Sequence, residues 1–296
     1  FDEKRKPGKP VKIGLITQLD DAAFMIRINK GIRDAEEDLA ERSIKILRRG
    51  TKNVDPEKQA EYIAEMEKEG VDALAIMPAD SEIIRDRLNE LHKKLDIPVV
   101  TFNSDIVGTE RACYIGLNNR QSGRTAAGLM GLLTGGSGKI LVITGYFSHS
   151  VDNERVDGFM EEARSSFPDM TLLGVQSCFE KESEVERIVE TTISSTEDLS
   201  GIFVVSGGQG GVTRALNKMD LKKRPYVIVY DRTPDNEHAL SDGDIDFVIG
   251  QQGYQQGYKA LSMLADHLTR DRKLEAECLY TEIKIINKYN IKGVGK

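Results

Sequence analysis

The 296-residue chain has no tryptophan, only three cysteines, four histidines and eight prolines, and 6% aromatic residues. Cys113, Cys178 and Cys278 are odd in number, widely spaced and form no CxxC pair, so neither a disulfide framework nor a zinc site is indicated and a reducing compartment is mildly favoured. The histidines, His92, His149, His238 and His267, are scattered without HExxH spacing or a Cys/His partner, so no metal is expected. Long apolar runs are also missing. Ile140 to Thr144 and Ile202 to Val205 fall far short of the roughly 20 residues a spanning helix needs, so no membrane contact is expected. Lys and Arg number 41 against 48 Asp and Glu, a formal charge of −7 with no basic stripe. Nucleic-acid affinity rests largely on Lys and Arg neutralising phosphates, which argues against this segment gripping DNA by itself. The opening FDEKRKPGKP has neither an initiator Met nor an apolar signal core, and a further segment ahead of Phe1 is expected.

Catalytic signatures are equally scarce. There is no GxSxG nucleophile elbow, and the run Ser148-His149-Ser150 has no orienting acid beside it in sequence. TGGSGK, Thr134 to Lys139, is not a phosphate loop, because Leu133 and Ile140 occupy positions that require Gly and Ser or Thr, and a strand follows instead of a helix. GGQGG, Gly207 to Gly211, follows a strand and opens a helix, but Thr213 stands where the third glycine of a dinucleotide fingerprint belongs. A close backbone approach to a ligand fits GGQGG better than pyrophosphate binding. No catalytic residue, metal or cofactor is assigned, and the chain is not expected to be an enzyme.

Short β-rich runs alternate with amphipathic stretches, the pattern of a parallel sheet with crossover helices. Strands are expected at Val11 to Thr17, Ile44 to Arg48, Ala73 to Met77 and Pro98 to Asn103, with helices at about Met25 to Arg42, Pro56 to Glu69 and Ser81 to Lys94. The second half repeats this order. Lys12 before IGLIT and Lys139 before ILVIT stand 127 residues apart, as do Pro98 and Pro225 before their strands. After Asp231 come a strand at Asp246 to Gly250, a helix at Tyr254 to Arg270 and a last strand at Leu279 to Lys288. The fold class is therefore α/β, two similar Rossmann-like lobes of parallel sheet flanked by helices and joined by a multi-strand hinge. The lobes are expected at 10–117 with 252–283 and at 118–251 with 284–293.

Open α/β sheets place ligands outside the carboxyl ends of their strands. Here those loops, Gln18 to Phe24, Pro78 to Ser81, Asn103 to Asp105, Thr144 to Arg155, Ser206 to Gln209, Asp231 to Thr233 and Gln251, are rich in Asn, Asp, Gln, Ser and Arg with one aromatic, Phe24. Amide, carboxylate and guanidinium groups beside an apolar face are the chemistry that recognises a polyol. Asp21, Phe24, Asn103, His149, Asn153, Arg155, Gln209, Asp231 and Gln251 are the candidate binding residues. Single members have plainer readings as well: Asn103 and Asp231 fit turns, Arg155 a solvated helix charge, and Phe24 the core.

KIGLI at Lys12 to Ile16, PADS at Pro78 to Ser81, PVVTFNSD at Pro98 to Asp105, NNRQSGRTAAG at Asn118 to Gly128, ERVDGF at Glu154 to Phe159, YDRTPD at Tyr230 to Asp235 and IGQQGYQQGYKA at Ile249 to Ala260 together resemble the type I periplasmic-binding-protein superfamily. The resemblance runs from about Pro10 to Ile291. It implies a sugar site between two lobes, with Phe24, Asn103, Arg155, Gln209, Asp231 and Gln251 at positions that match ribose-type ligand groups. Two departures point away from ribose: DAAFM replaces an NPFF-like element, putting Ala22 and Met25 at the Asn and second aromatic, and Gly208 replaces a frequent Asn or Asp. FNSDIVGTERACYIGLNN, ERVDGF and YTEIKIINKYNI look more like the effector-binding domains of LacI/GalR transcription regulators. That branch implies a cytoplasmic homodimer sensing a small carbohydrate, with operator DNA bound only through a missing N-terminal domain. The alternative is an exported, periplasmic or extracellular sugar-binding protein of an ABC transporter.

Overall fold

The computed structural model describes residues 10–274 and 276–291. It divides into two compact units: the first ends at Gly116 and resumes at Gly253–Tyr280, and the second comprises Leu117–Gln252 and the chain from Thr281 onward. The chain thus passes between the units three times.

In the first unit β1 (Val11–Thr17), α1 (Met25–Ala40), β2 (Ile44–Gly50), α2 (Pro56–Glu69), β3 (Ala73–Ile76), α3 (Glu82–Leu95), β4 (Val99–Phe102) and β5 (Cys113–Gly116) alternate strand and helix up to the last strand. In the second, α4 (Asn119–Thr134), β6 (Ser137–Thr144), α5 (Ser150–Ser166), β7 (Asp169–Ser177), α6 (Glu182–Ser195), β8 (Leu199–Val204), α7 (Gly210–Lys218), β9 (Tyr226–Tyr230), α8 (Pro234–Asp242) and β10 (Phe247–Gly250) do the same. Then α9 (Gly253–Arg270) and β11 (Cys278–Tyr280) return to the first unit, and β12 (Lys284–Ile286) belongs to the second. The strand orders correspond, 11-5-4-3-1-2 and 12-10-9-8-6-7.

Local chemistry sets the element ends. Asp55 accepts a hydrogen bond from Lys58 N at the start of α2, Pro56 occupies its first turn, and Gly70 at φ 66° ends it. Ser81 Oγ accepts from Ile84 N at the start of α3, and Ile84, Leu88 and Leu91 form that helix's buried stripe. Central strands β3 and β4 are buried along their whole length, as expected of a parallel sheet covered on both faces. Each sheet accordingly has two cores, one per face. Close helix packing depends on glycine: a Cβ at Gly31 of α1 would lie 2.1 Å from Tyr254 O of α9. In the second unit a Cβ at Gly123 of α4 would lie 2.0 Å from Arg155 O of α5.

Two expectations are corrected, and one departure from the family pattern is explained. The single last strand expected at Leu279 to Lys288 is two strands serving different sheets, β11 beside β5 and β12 beside β10, because the chain changes unit between Tyr280 and Thr281. β12 runs antiparallel to β10, so the second sheet is mixed rather than wholly parallel. Met25, at the place of the second aromatic, is fully buried in the first unit's core and offers no platform.

Candidate functional site

The second unit organises its strand ends around Arg155. This residue sits on the inner face of α5, 3% exposed, so it is not a solvated helix charge. Its Nε donates to Asn119 Oδ1 at 3.0 Å, Nη1 to Val205 O at 2.8 Å and Nη2 to Gln251 Oε1 at 3.0 Å. The guanidinium lies 4.0 Å from the centre of the Tyr230 ring, whose hydroxyl is 2.6 Å from Ser122 Oγ. None of the three acceptors is a carboxylate. The nearest acid in the chain of bonds is Asp231, which accepts from Gln251 Nε2 at 2.5 Å. Burial raises the Asp231 carboxyl above its ordinary pKa, and Arg155 opposes that rise.

Around this core the other candidates make contacts of different kinds. Gln209 donates its amide to Ser206 O at 2.5 Å and Tyr230 O at 3.1 Å, holding the ends of β8 and β9 together. Asn153 is half-buried near the helix start and donates to Phe147 O at 2.8 Å. His149 Nδ1 lies 3.3 Å from Asp152 Oδ1. Asp152 escaped the sequence reading, although its spacing of three from Arg155 puts both on one helix face. Glu180 escaped it too, lying just past β7 with no periodic signal to place it. Its Oε2 accepts from Gly207 N at 2.8 Å, and burial followed by repulsion from Asp152 pushes its pKa up to about 7.

In the first unit Asn103 donates to Gln256 Oε1 at 3.1 Å and its carbonyl accepts from Tyr114 Oη at 3.1 Å. Gln18, also missed as an individual residue, is 1% exposed and donates to Pro78 O and Ser104 Oγ. Phe24 is partly buried against the core. Asp21 is not drawn into this group: its side chain faces solvent and pairs with Lys52 at 3.3 Å.

Buried acceptors without a hydrogen-bond partner among the described residues collect after the first strand of each unit. They are Gln18 Oε1 and Asp20 Oδ1 after β1, and Thr144 Oγ1 and Asp152 Oδ2 after β6. Among the described residues no group of His, Cys, Asp and Glu is arranged to hold a metal, and no helix is long and apolar enough to cross a membrane.

Comparison with known proteins gives this arrangement a setting. The ribose import binding protein RbsB of Escherichia coli is 24% identical over 223 residues, covering 75% of this chain and 74% of that protein. Its Bacillus subtilis namesake is 24% identical over 268 residues, 90% and 84% of the two chains. Among solved structures, an ABC transporter solute-binding protein from Burkholderia graminis in complex with D-arabinose superimposes with a TM-score of 0.89 at 25% identity, covering 99% of this chain and 100% of that one. These relatives overturn the regulator reading. They are import and solute-binding proteins, so the LacI-type assignment, and with it the operator DNA, the homodimer and the cytoplasmic location, loses its support. The model of the periplasmic binding protein domain matches residues 13–272, and the chain belongs to that family.

Proposed function

We propose that this chain is the solute-binding component of an ABC-type sugar importer, working outside the cytoplasm on a small polyhydroxylated ligand by binding and not by catalysis. The observation that carries the reading is the set of buried, unpartnered acceptors at Gln18, Asp20, Thr144 and Asp152, each at the carboxyl end of a first strand or the start of the helix after it. A buried polar atom left without a partner costs about 1–3 kcal/mol, so a unit that keeps two of them after its first strand, as each does here, is suited to a ligand that supplies donors. A sugar supplies several hydroxyl donors on a small frame. Within the second unit Arg155, Asp231 and Gln251 would add polar contacts and Gln209 would brace them; within the first unit Asn103 would add a polar contact and Phe24 an apolar edge. The import and solute-binding roles of the relatives agree with this chemistry.

The test is the melting midpoint against D-ribose, D-arabinose, D-xylose, D-galactose and xylitol, followed by calorimetry on any hit. At a hundredfold excess over Kd a ligand adds about 2.7 kcal/mol, a shift of several degrees or less in a chain of this size. A shift from one or more sugars supports the reading, and a midpoint unmoved by all of them removes it. Fractionation of the native host should recover the protein outside the cytoplasm.

A further inference from the structure

Asp152 and Glu180 come from different elements and meet over one glycine. A Cβ built on Gly145 would lie 1.9 Å from Glu180 Oε1 and 2.9 Å from Asp152 Oδ2, so the two carboxyls crowd a space that only a residue without a side chain leaves open. Asp152 is 2% exposed, and its Oδ2 has no hydrogen-bond partner among the described residues. The neighbouring Thr144 Oγ1 is fully buried and likewise unpartnered. The positive groups nearby are committed elsewhere: the Arg155 guanidinium bonds to Asn119, Val205 and Gln251. His149 meets Asp152 only through Oδ1. Two acids therefore share a confined space with an unfilled acceptor and, among the described residues, no Lys or Arg bonded to them.

The loops that carry the pair also present aromatic surface. Phe147 after β6 is 60% exposed and Phe179 after β7 is 51% exposed, the latter set edge-on against Tyr146 with ring centroids 5.8 Å apart. Carboxylates beside exposed rings are the combination that favours a positively charged group over a neutral one, through charge-assisted hydrogen bonds and the negative faces of the rings. We infer that Asp152 and Glu180 form a subsite for an ammonium group, so that the ligand class is an amino sugar or amino polyol. This rests on the sugar-binding reading above and narrows it.

The experiment is calorimetry with three matched sets: D-glucosamine, D-glucose and N-acetyl-D-glucosamine, and the corresponding galactose and mannose series. Acetylation keeps the nitrogen and removes its charge. The expected result is an amine that binds about tenfold or more tighter than both its parent hexose and its acetylated form, the size of one charge-assisted hydrogen bond. In Asp152→Asn that ratio should fall towards one, and Glu180→Gln provides the same readout if the first variant folds poorly. Neutral sugars binding as tightly as the amines would overturn the subsite and leave the sugar-binding reading standing, as would an undiminished ratio in both variants. Failure of every compound in these sets, with a protein that still melts cooperatively, would overturn the subsite, and the sugar-binding reading falls with it only if the pentoses, D-galactose and xylitol of the melting panel fail as well.

Discussion

Asn103 and Asp231 occupy the same left-handed turn in the two units, at φ 64° and 70°. Each follows an inner strand, and each donates its backbone N–H to the next strand, to Ile115 O and Ile249 O, both at 3.0 Å. Asn and Asp tolerate this conformation better than other residues with a side chain, which explains why a polar group stands at that corner in both halves. The turn and the candidate ligand contact are one feature, so the two readings of these residues from sequence are compatible.

Arg155 and Asp231 should be separable by mutation. Arg155→Ala leaves Asn119 Oδ1, Val205 O and Gln251 Oε1 short of a donor, and is expected to cost about 2–4 kcal/mol in urea unfolding as well as the ligand. Asp231→Asn keeps the size and the turn, and should lower sugar affinity about a hundredfold with a stability change within about 1 kcal/mol. Sugar affinity retained in both variants, measured by calorimetry, would remove these residues from the site.

Two glycines of α4 should respond in opposite directions. Gly123→Ala forces a methyl against Arg155 O, and overpacking of this kind costs about 1–3 kcal/mol. Gly128→Ala meets no atom within 4 Å in the same helix and should stabilise by roughly 0.5–1 kcal/mol through lower backbone entropy in the unfolded chain. Equal effects in chemical denaturation would contradict the packing of α4 on α5.

Glu180 should make stability depend on pH. Its ordinary value of 4.5 rises to about 7 in the folded protein, first through burial and then through Asp152, while the Gly207 N–H, His149 and the Ser206 hydroxyl oppose the rise. Between those values the folded chain holds a proton that the unfolded chain has lost, so this group's contribution to stability declines as pH rises and levels off above about 7. Glu180→Gln removes that decline. The variant should gain on the natural protein from pH 5 to pH 8, by on the order of 2 kcal/mol after allowance for the solvent near this partly exposed side chain. A constant difference across that range would show that the carboxyl titrates normally.

Thiol labelling should rank the three cysteines. Burial pushes the Cys113 and Cys178 thiols up to about 11, and both are fully enclosed, so neither presents an accessible thiolate at pH 8. Cys278 is half-buried on β11 at the edge of its sheet. A disulfide reagent should therefore label Cys278 first and the other two only on unfolding, as read by mass spectrometry of the native and urea-treated protein.

The 127-residue offset between Lys12 and Lys139 and between Pro98 and Pro225 was enough to expose two like α/β halves, because strand, turn and helix patterns are local and repeat with the chain. Arg155, Asp231 and Gln251 could be singled out as candidates for the same reason, each lying just past a strand or on the helix after one. The stretch Leu279 to Lys288 misled because one β-rich run serves two sheets, and pairing partners far away in sequence decide where a strand ends. Branch resemblance misled as well, since the phrases that suggested a regulator lie in a scaffold that binding proteins share. Only the tertiary structure joined Asp152 of α5 to Glu180 beyond β7. Nothing in a local pattern shows that two acids will crowd the same glycine; burial and the missing partner of Asp152 Oδ2 arise when separate elements pack, and that packing makes an ordinary carboxylate pair a candidate site for charge.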